Sequence, residues 1–453
     1  MVNLSFDIGT TNIKSMVTRN EKILEVQSVR LETHQEGLTM TQDPSVILDI
    51  IKKRIQAVDK TYGLESFVLV TAMHTLILLN QAYQPMEPMM LWSDNRGESV
   101  ADVSNKKMLQ YYFRTGTPYH PMSPFVKLKT FDQGYLANCL ISDLKAYLMV
   151  HLTGAFVSDV SSASASGLMN IHTQSWDQKI LNELMLKQDH LPIIKPCDFT
   201  TTTHCFDRPI GVMVGSTDGV MANLGTQTSN RQCVLSVGTS VGIRTLSDVR
   251  ILDSKCKTFC YCAPYGQFLI GNASNNGGNL YDYIAHHLFD GHLSFEDFIE
   301  MIGSGIPKIY ATPFVFGERG PFWIKNLRLT FSEQSVNNQE KAQAIIYGML
   351  SNIYLLKQSI ASVVSSDPIC LTGGFFNDTR LVQLLADLCQ HDVICVEDEN
   401  AVCVAAMHLL TQTPIHQTSH HVKHKKNNAL IQYRAQASAY IMQYVDQKKR
   451  SLE

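Results

Sequence analysis

Two stretches of this chain are built on one plan, and that repetition constrains the fold more than any other feature of the sequence. Leu4 to Val17, LSFDIGTTNIKSMV, runs apolar into the polar turn Asp7-Ile8-Gly9-Thr10-Thr11 and resumes apolar at Ile13, Met16 and Val17. Cys233 to Arg244, CVLSVGTSVGIR, does the same around Gly238, Thr239 and Ser240. Each reads as a β-hairpin with a glycine-hydroxyl tip. A single tip is a weak signal, since an ordinary edge hairpin turning on Gly-Thr-Thr has the same sequence. Two of them, half a chain apart, imply two related half-domains. The length of 453 residues agrees, because it exceeds the usual single domain and suggests two of roughly 200 residues each.

The intervening pattern predicts an α/β architecture, a mixed sheet covered by helices. A strand is expected over 23–31, and a helix over 44–58 with Val46, Ile47, Ile50, Ile51, Ile55 and Val58 at helical spacing. A short buried strand is expected over 67–71, one helix over 140–152 ending at Gly154, and a tightly packed small-residue run over 157–170. Residues 210–225, IGVMVGSTDGVMANLG, read as a strand, a tight Gly-Ser-Thr-Asp-Gly turn and a helix start. Later come a glycine turn at 275–278 entering a helix, a long helix over 342–364, and a strand over 368–371 running into Gly373-Gly374 and a further helix. Residues 411–427 read as a polar linker whose His420, His421 and His424 form a solvated tail, followed by an amphipathic helix over 429–445.

Several of these turns carry residue types suited to chemistry, each with a plainer structural alternative. The first tip, with its glycine, hydroxyls and Lys14, offers N–H groups, side-chain donors and positive charge to a phosphate, and Asp7 suits a hydrated magnesium ion. Trp92, Asp94 and Arg96 lie in a proline-interrupted loop that fits a polyhydroxylated ligand, although Asp94 and Arg96 can equally pair at a surface. Asp218, flanked by glycines at a strand end, fits either an N-cap or a general base acting on a substrate hydroxyl. Strand, double glycine, helix at 368–389 fits a nucleotide or a tight crossover.

Composition narrows the partners. Apolar residues make up 45% and charged residues 17%, with a formal net charge of −3, which argues against nucleic acid. The eleven cysteines contain no C-x-x-C, and Cys256, Cys260 and Cys262 lack the paired spacing of a zinc site, so reduced thiols are expected. The amino terminus shows no basic leader before an apolar core, and no apolar run approaches the roughly 18 residues of a membrane span. A cytoplasmic protein with no membrane partner is expected, acting on a small molecule, with a homodimer as a possible assembly.

Taken in order, the motifs resemble the FGGY family of carbohydrate kinases over residues 4 to about 410. The matching residues are DIGTTNIK from Asp7, Met73-His74 with LWSDNR, GSTDG around Asp218, SVGTS from Ser236, and TGGFFND with QLLAD. NNGGN at 275–279, FGERGPFW at 316–323 and DVSSASASGLMNI at 159–171 resemble the gluconokinase branch.

The resemblance implies two actin-like, ribonuclease H-like domains with a cleft between them. The boundaries expected are residues 1–228 for a sugar-binding and catalytic domain, 229–412 for a nucleotide-binding domain, and 413–453 for a linker and helix. It implies ATP with Mg2+, and Asp218 as the base that activates the acceptor hydroxyl, the 6-hydroxyl in the case of gluconate. Met73, His74, Trp92, Asp94, Arg96 and Gly219 would meet the sugar or sugar acid. Thr10, Thr11, Asn12, Lys14, Gly238, Thr239, Gly278, Gly374, Asn377 and Asp378 would meet the nucleotide, and Asp7 the metal. A pentulose kinase such as xylulokinase, or an ATP-binding actin-like module without transfer, are the other readings. The sequence departs from the family pattern at Thr130, at Phe375 in place of a third glycine, around Phe331 and Ser332, and at Cys403-Val404-Ala405-Ala406. These changes are expected to bear mainly on the adenosine site.

Overall fold

Both hairpins form. In the computed structural model, which describes residues 1–101, 103–203, 205–324, 326–397, 400–415 and 418–451, Val2–Ile8 pairs antiparallel with Asn12–Arg19. Val234–Val237 pairs likewise with Val241–Ser247. Each hairpin seeds a sheet. Among the described residues the N-terminal sheet runs, edge to edge, Thr200–Thr203, Ile210–Met213, Ser66–Thr71, Val2–Ile8, Asn12–Arg19 and Lys22–Arg30. The C-terminal sheet runs Ser419–Val422, Val393–Val396, Ile369–Thr372, Val234–Val237, Val241–Ser247 and Phe268–Ser274, with Phe259–Cys262 added beyond.

Aligned on the hairpins, the two sheets agree in the direction of every pairing: antiparallel, parallel, parallel, antiparallel, antiparallel. The duplication visible at two tips therefore extends over six strands. The first strand of the series differs in origin, since Thr200–Thr203 precedes its neighbour in the chain and Ser419–Val422 follows its own. That last strand corrects the expectation of a linker over 411–427. It is an exposed edge, so its sequence needs no apolar alternation. Instead of a solvated tail, His420 lies 2.8 Å from Glu397 and His424 2.6 Å from Asp392. Of the same stretch, His416 and Gln417 lie outside the described residues.

Helix Pro44–Tyr62 starts where Asp43 accepts from Ser45 N at 2.8 Å and stops at Gly63, which takes φ 71°. It buries Ile47, Ile51, Ile55 and Val58 beneath Leu4 and Phe6. The single helix expected over 140–152 is instead a strand, Leu140–Ser142, followed by helix Leu144–Thr153. Asp143 divides them by accepting from Ala146 N at 2.7 Å, a stronger local preference than the continuous apolar run suggests.

The two halves meet through a pair of helices. Ala401–Thr411 follows the C-terminal sheet yet buries Ala405, Ala406 and Leu409 against Val68, Val70 and Met213 of the N-terminal sheet, and Cys403 and Met407 against Met16. The Cys403 to Ala406 departure thus packs on the N-terminal half, a correction to its expected bearing on the adenosine site. Helix Asp218–Thr226 crosses it so closely that a Cβ on Gly225 would stand 2.1 Å from Ala401 O. Gly225→Ala is expected to push the helices apart and cost about 1–3 kcal/mol, read as a lowered thermal midpoint.

Candidate active site

The turn before Asp218 is fixed from beneath. Gly215 takes φ 72°, and a Cβ there would lie 2.0 Å from Leu69 O, so only glycine lets the chain turn this close to the neighbouring strand. The buried Lys145 then donates from Nζ to Leu69 O at 2.9 Å and to Ser216 O at 3.1 Å, and pairs with Asp159 at 3.2 Å. Ser161 Oγ and Thr217 Oγ1 hydrogen-bond at 2.9 Å, which accounts for part of the small-residue run as close packing.

Thr217 occupies the N-cap position and Asp218 is the first helical residue, so Asp218 does not serve as the cap. Its Oδ1 accepts from Gly219 N at 2.7 Å and Met73 N at 3.2 Å. Oδ2 has no hydrogen-bond partner among the described residues. Burial raises this carboxyl above its usual range, opposed by the Gly219 N–H and then by the charge of Arg244. Asp7, opposite Lys14 in the first hairpin, is pushed up to about 7 by burial and next by Asp218, with Lys14 opposing. The two carboxylates therefore repel, a situation a divalent cation relieves. Among the described residues no cluster of three metal-ligating side chains exists. Magnesium does not require one, since it commonly binds through one or two carboxylates, water and substrate phosphates. Asp7 fits that role.

At the first tip Gly9 N donates to Asn12 O at 3.0 Å; Thr11 and Asn12 are exposed, Thr10 and Lys14 half-buried. At the second, Gly238 N donates to Ser240 O at 3.1 Å, and Gly238 O accepts from Gly278 N at 2.7 Å. A Cβ on Gly278 would stand 2.9 Å from Gly238 O and 3.1 Å from Phe375 Cδ2, so the tip carrying Thr239 rests on Gly278 with Phe375 beside it. Phe375 is buried in a ring cluster with Phe376 at 5.3 Å and with Phe295 and Phe298 at 6.5 Å. Gly238 and Gly374 face open space, where a Cβ would meet nothing within 4 Å. Asn377 is exposed. Asp378 caps helix Thr379–Cys389 by accepting from Arg380 N at 2.8 Å, and its carboxylate also pairs with the Arg380 side chain.

On the opposite side of Asp218, Met73 covers Gly219, its Cε 2.9 Å from the position of an added Cβ. His74, at φ 61°, donates from Nδ1 to Ala165 O at 2.8 Å, leaving Nε2 as an acceptor. Burial, then Lys127, lowers its pKa to about 3, so the ring is neutral. Trp92 lies beneath the Arg319 guanidinium, 4.8 Å from Cζ to the ring centre. Asp94 and Arg96 form the pair that composition left open, but it is buried rather than at the surface. Asp94 accepts from Arg96 N, Nε and Nη2 and from Met40 N at 2.9–3.1 Å.

The structure also brings in residues the motifs did not single out. Arg244 ends the second hairpin motif, and its Cζ lies 3.7 Å from the Cβ position of Gly219. Arg319 lies within FGERGPFW, and Lys127 within MSPFVKLKT. His120 accepts at Nδ1 from Met122 N at 3.2 Å, which leaves Nε2–H as a donor, and its ring lies 5.7 Å from that of Trp323. A charged residue inside an apolar strand, as Arg244 is, was the available signal.

Comparison with known proteins agrees with this geometry. Residues 2–225 match the N-terminal domain of the FGGY family of carbohydrate kinases and residues 263–410 its C-terminal domain. The chain is 26% identical to the gluconokinase of Bacillus subtilis (strain 168) over 442 residues, covering 89% of this chain and 86% of that protein. It is 22% identical to the xylulose kinase of Staphylococcus xylosus, over 89% of this chain and 90% of that one. The crystal structure of gluconate kinase from Lactobacillus acidophilus superposes with a TM-score of 0.89 at 25% identity, covering 100% of this chain and 99% of that one. Both sheets, the cleft between them and the two matched domains lead to one conclusion: this chain belongs to the FGGY family of carbohydrate kinases.

Proposed function

We propose that this carbohydrate kinase transfers the γ-phosphoryl group of ATP to the 6-hydroxyl of D-gluconate, with Asp218 as general base. The observation that carries the assignment is the asymmetry of the Asp218 carboxylate. Oδ1 is held by two backbone N–H groups, while Oδ2 is left to accept a proton from a substrate hydroxyl. Similarity to gluconokinases supports the sugar acid as acceptor.

In this reading Thr10, Thr11, Asn12 and Lys14 receive the phosphates from one hairpin and Gly238 and Thr239 from the other. Gly278, Gly374 and Asn377 border the nucleoside, while the Asp378 carboxylate acts by capping the helix beside it. Met73, His74 and Trp92 shape the sugar side, with Gly219 beneath Met73, and the Asp94–Arg96 pair fixes the loop that presents Trp92. Magnesium held by Asp7 would neutralise charge on the transferring group. The chain's own contribution is positioning and fixed charge, the main source of catalysis in phosphoryl transfer. The reading places the enzyme in the cytoplasm, where ATP is available; no described helix is long and apolar enough to cross a membrane.

The test is ADP formation with gluconate, xylulose, ribulose and glycerol as acceptors. Gluconate is expected to give the highest kcat/KM. A ketose preferred over gluconate would move the assignment to a pentulose kinase, and ATP binding with no acceptor used would leave a nucleotide-binding module. Because Gly278 supports the second tip, Gly278→Ala is expected to raise the KM for ATP roughly tenfold with a smaller change in kcat, as displacement of a binding loop does.

A further inference from the structure

Arg244 and Arg319 both lie against one strand, Phe268–Ser274, the first from the neighbouring strand Val241–Ser247 and the second from the segment 316–323. Arg244 pairs in register with Gly271, where an added Cβ would lie 2.9 Å from its Cγ, and its guanidinium folds back over Gly242, whose Cβ would meet Nη2 at 2.5 Å. Both glycines therefore clear the path of this one side chain. Arg319 is anchored to the end of the same strand by a 3.1 Å bond from Nη2 to Ser274 O and lies over Trp92.

A guanidinium carries five N–H donors. Between them, the two side chains make that single hydrogen bond among the described residues, and Arg319 Nε is buried with no acceptor. Neither forms an ion pair within 4.0 Å among those residues. Glu318, the carboxylate nearest Arg319 in sequence, is occupied elsewhere. It accepts from Ser274 Oγ at 2.7 Å, from Asn352 Nδ2 at 3.2 Å and from the backbone N of Arg319 at 2.7 Å. Two partly buried cations with unused planar donors are costly unless a ligand supplies an anion of matching geometry.

We propose that Arg244 and Arg319 form a carboxylate-binding subsite and so restrict the acceptor to sugar acids over neutral ketoses and polyols. The inference rests on the kinase reading above and adds the determinant of substrate class. Trp92 gives the guanidinium of Arg319 a flat support, and the Nε2–H of His120 supplies a neutral donor for the hydroxyls beside the carboxylate. His120 is held neutral by burial and by the charges of Arg319 and Lys127, which leaves the net positive charge with the guanidiniums. A neutral acceptor of the same length would leave those donors unpaired, which is how a polar site rejects an analogue.

The experiment compares gluconate with sorbitol, the neutral hexitol in which CH2OH replaces the carboxylate, by calorimetric binding and by turnover. It uses the full chain, Arg319→Gln, Arg244→Gln and the conservative Arg319→Lys. The parent is expected to bind gluconate at least about 100-fold more tightly than sorbitol, and each Gln variant to lose most of that ratio, as truncation of one member of a buried charge pair does. Arg319→Lys should recover part of it. A ratio that survives both Gln substitutions in variants with the parent's thermal midpoint overturns the subsite. A parent that phosphorylates a ketose but does not discriminate gluconate from sorbitol also overturns it while the kinase reading stands; a parent that phosphorylates no sugar sinks both.

Discussion

Asp218→Asn is expected to lower kcat by about 10²–10⁴-fold, the range for loss of a general base. Asparagine is the informative replacement because its Oδ1 can still accept from Gly219 N and Met73 N, so the helix start and the Met73 backbone keep their places. What disappears is the proton acceptor at the position of Oδ2. Single-turnover measurement of sugar phosphate, alongside titration of ATP binding, separates the two: transfer should collapse and nucleotide affinity persist. Retention of more than a tenth of the parent rate would remove Asp218 from the role. Asp218→Ala is the poorer probe, since it also strands two backbone donors.

Lys145→Met should produce the largest loss of stability. The side chains of Lys145 and Asp159 are both fully buried, and Asp159 also accepts from Ser161 N at 2.9 Å and Ser162 N at 3.0 Å. Removing the ammonium leaves a buried carboxylate without its cation, a change that costs about 3–5 kcal/mol. In a domain of this size that lowers the thermal midpoint on the order of 10 °C. Because Nζ also holds Ser216 O, two residues before Asp218, the surviving folded fraction should turn over more slowly. Adding Asp159→Asn to Lys145→Met should recover part of the stability and little of the rate. A change below about 1 kcal/mol for Lys145→Met would show that the pair does not hold this turn.

The parts of this protein that could be read from the chain are those encoded within a few neighbouring residues. A glycine-hydroxyl tip between two apolar runs specifies a hairpin wherever it occurs, and its repetition revealed the duplicated sheet. Gly154, read as a helix end, closes helix Leu144–Thr153 at φ 75° by a backbone preference that operates within one turn. Family motifs in order then supplied the kinase assignment and pointed to Asp218.

Features built from distant segments were not legible in this way. Strand Ser419–Val422 exists because Val393–Val396 offers an open edge; its own residues, Ser-His-His-Val, carry no apolar period. Asp94 and Arg96 advertised a pair, but its burial depends on Met40 arriving from another strand. Arg244 and Arg319 are unremarkable charges until strand Phe268–Ser274 sets one across from Gly271 and bonds the other at its end. Local sequence thus determined the hairpins and the glycine end of a helix, and it singled out Asp218 as the carboxylate proposed to react. The tertiary structure alone decided which charges are withdrawn from water together, because desolvation and Coulomb coupling depend on distance in space and not along the chain.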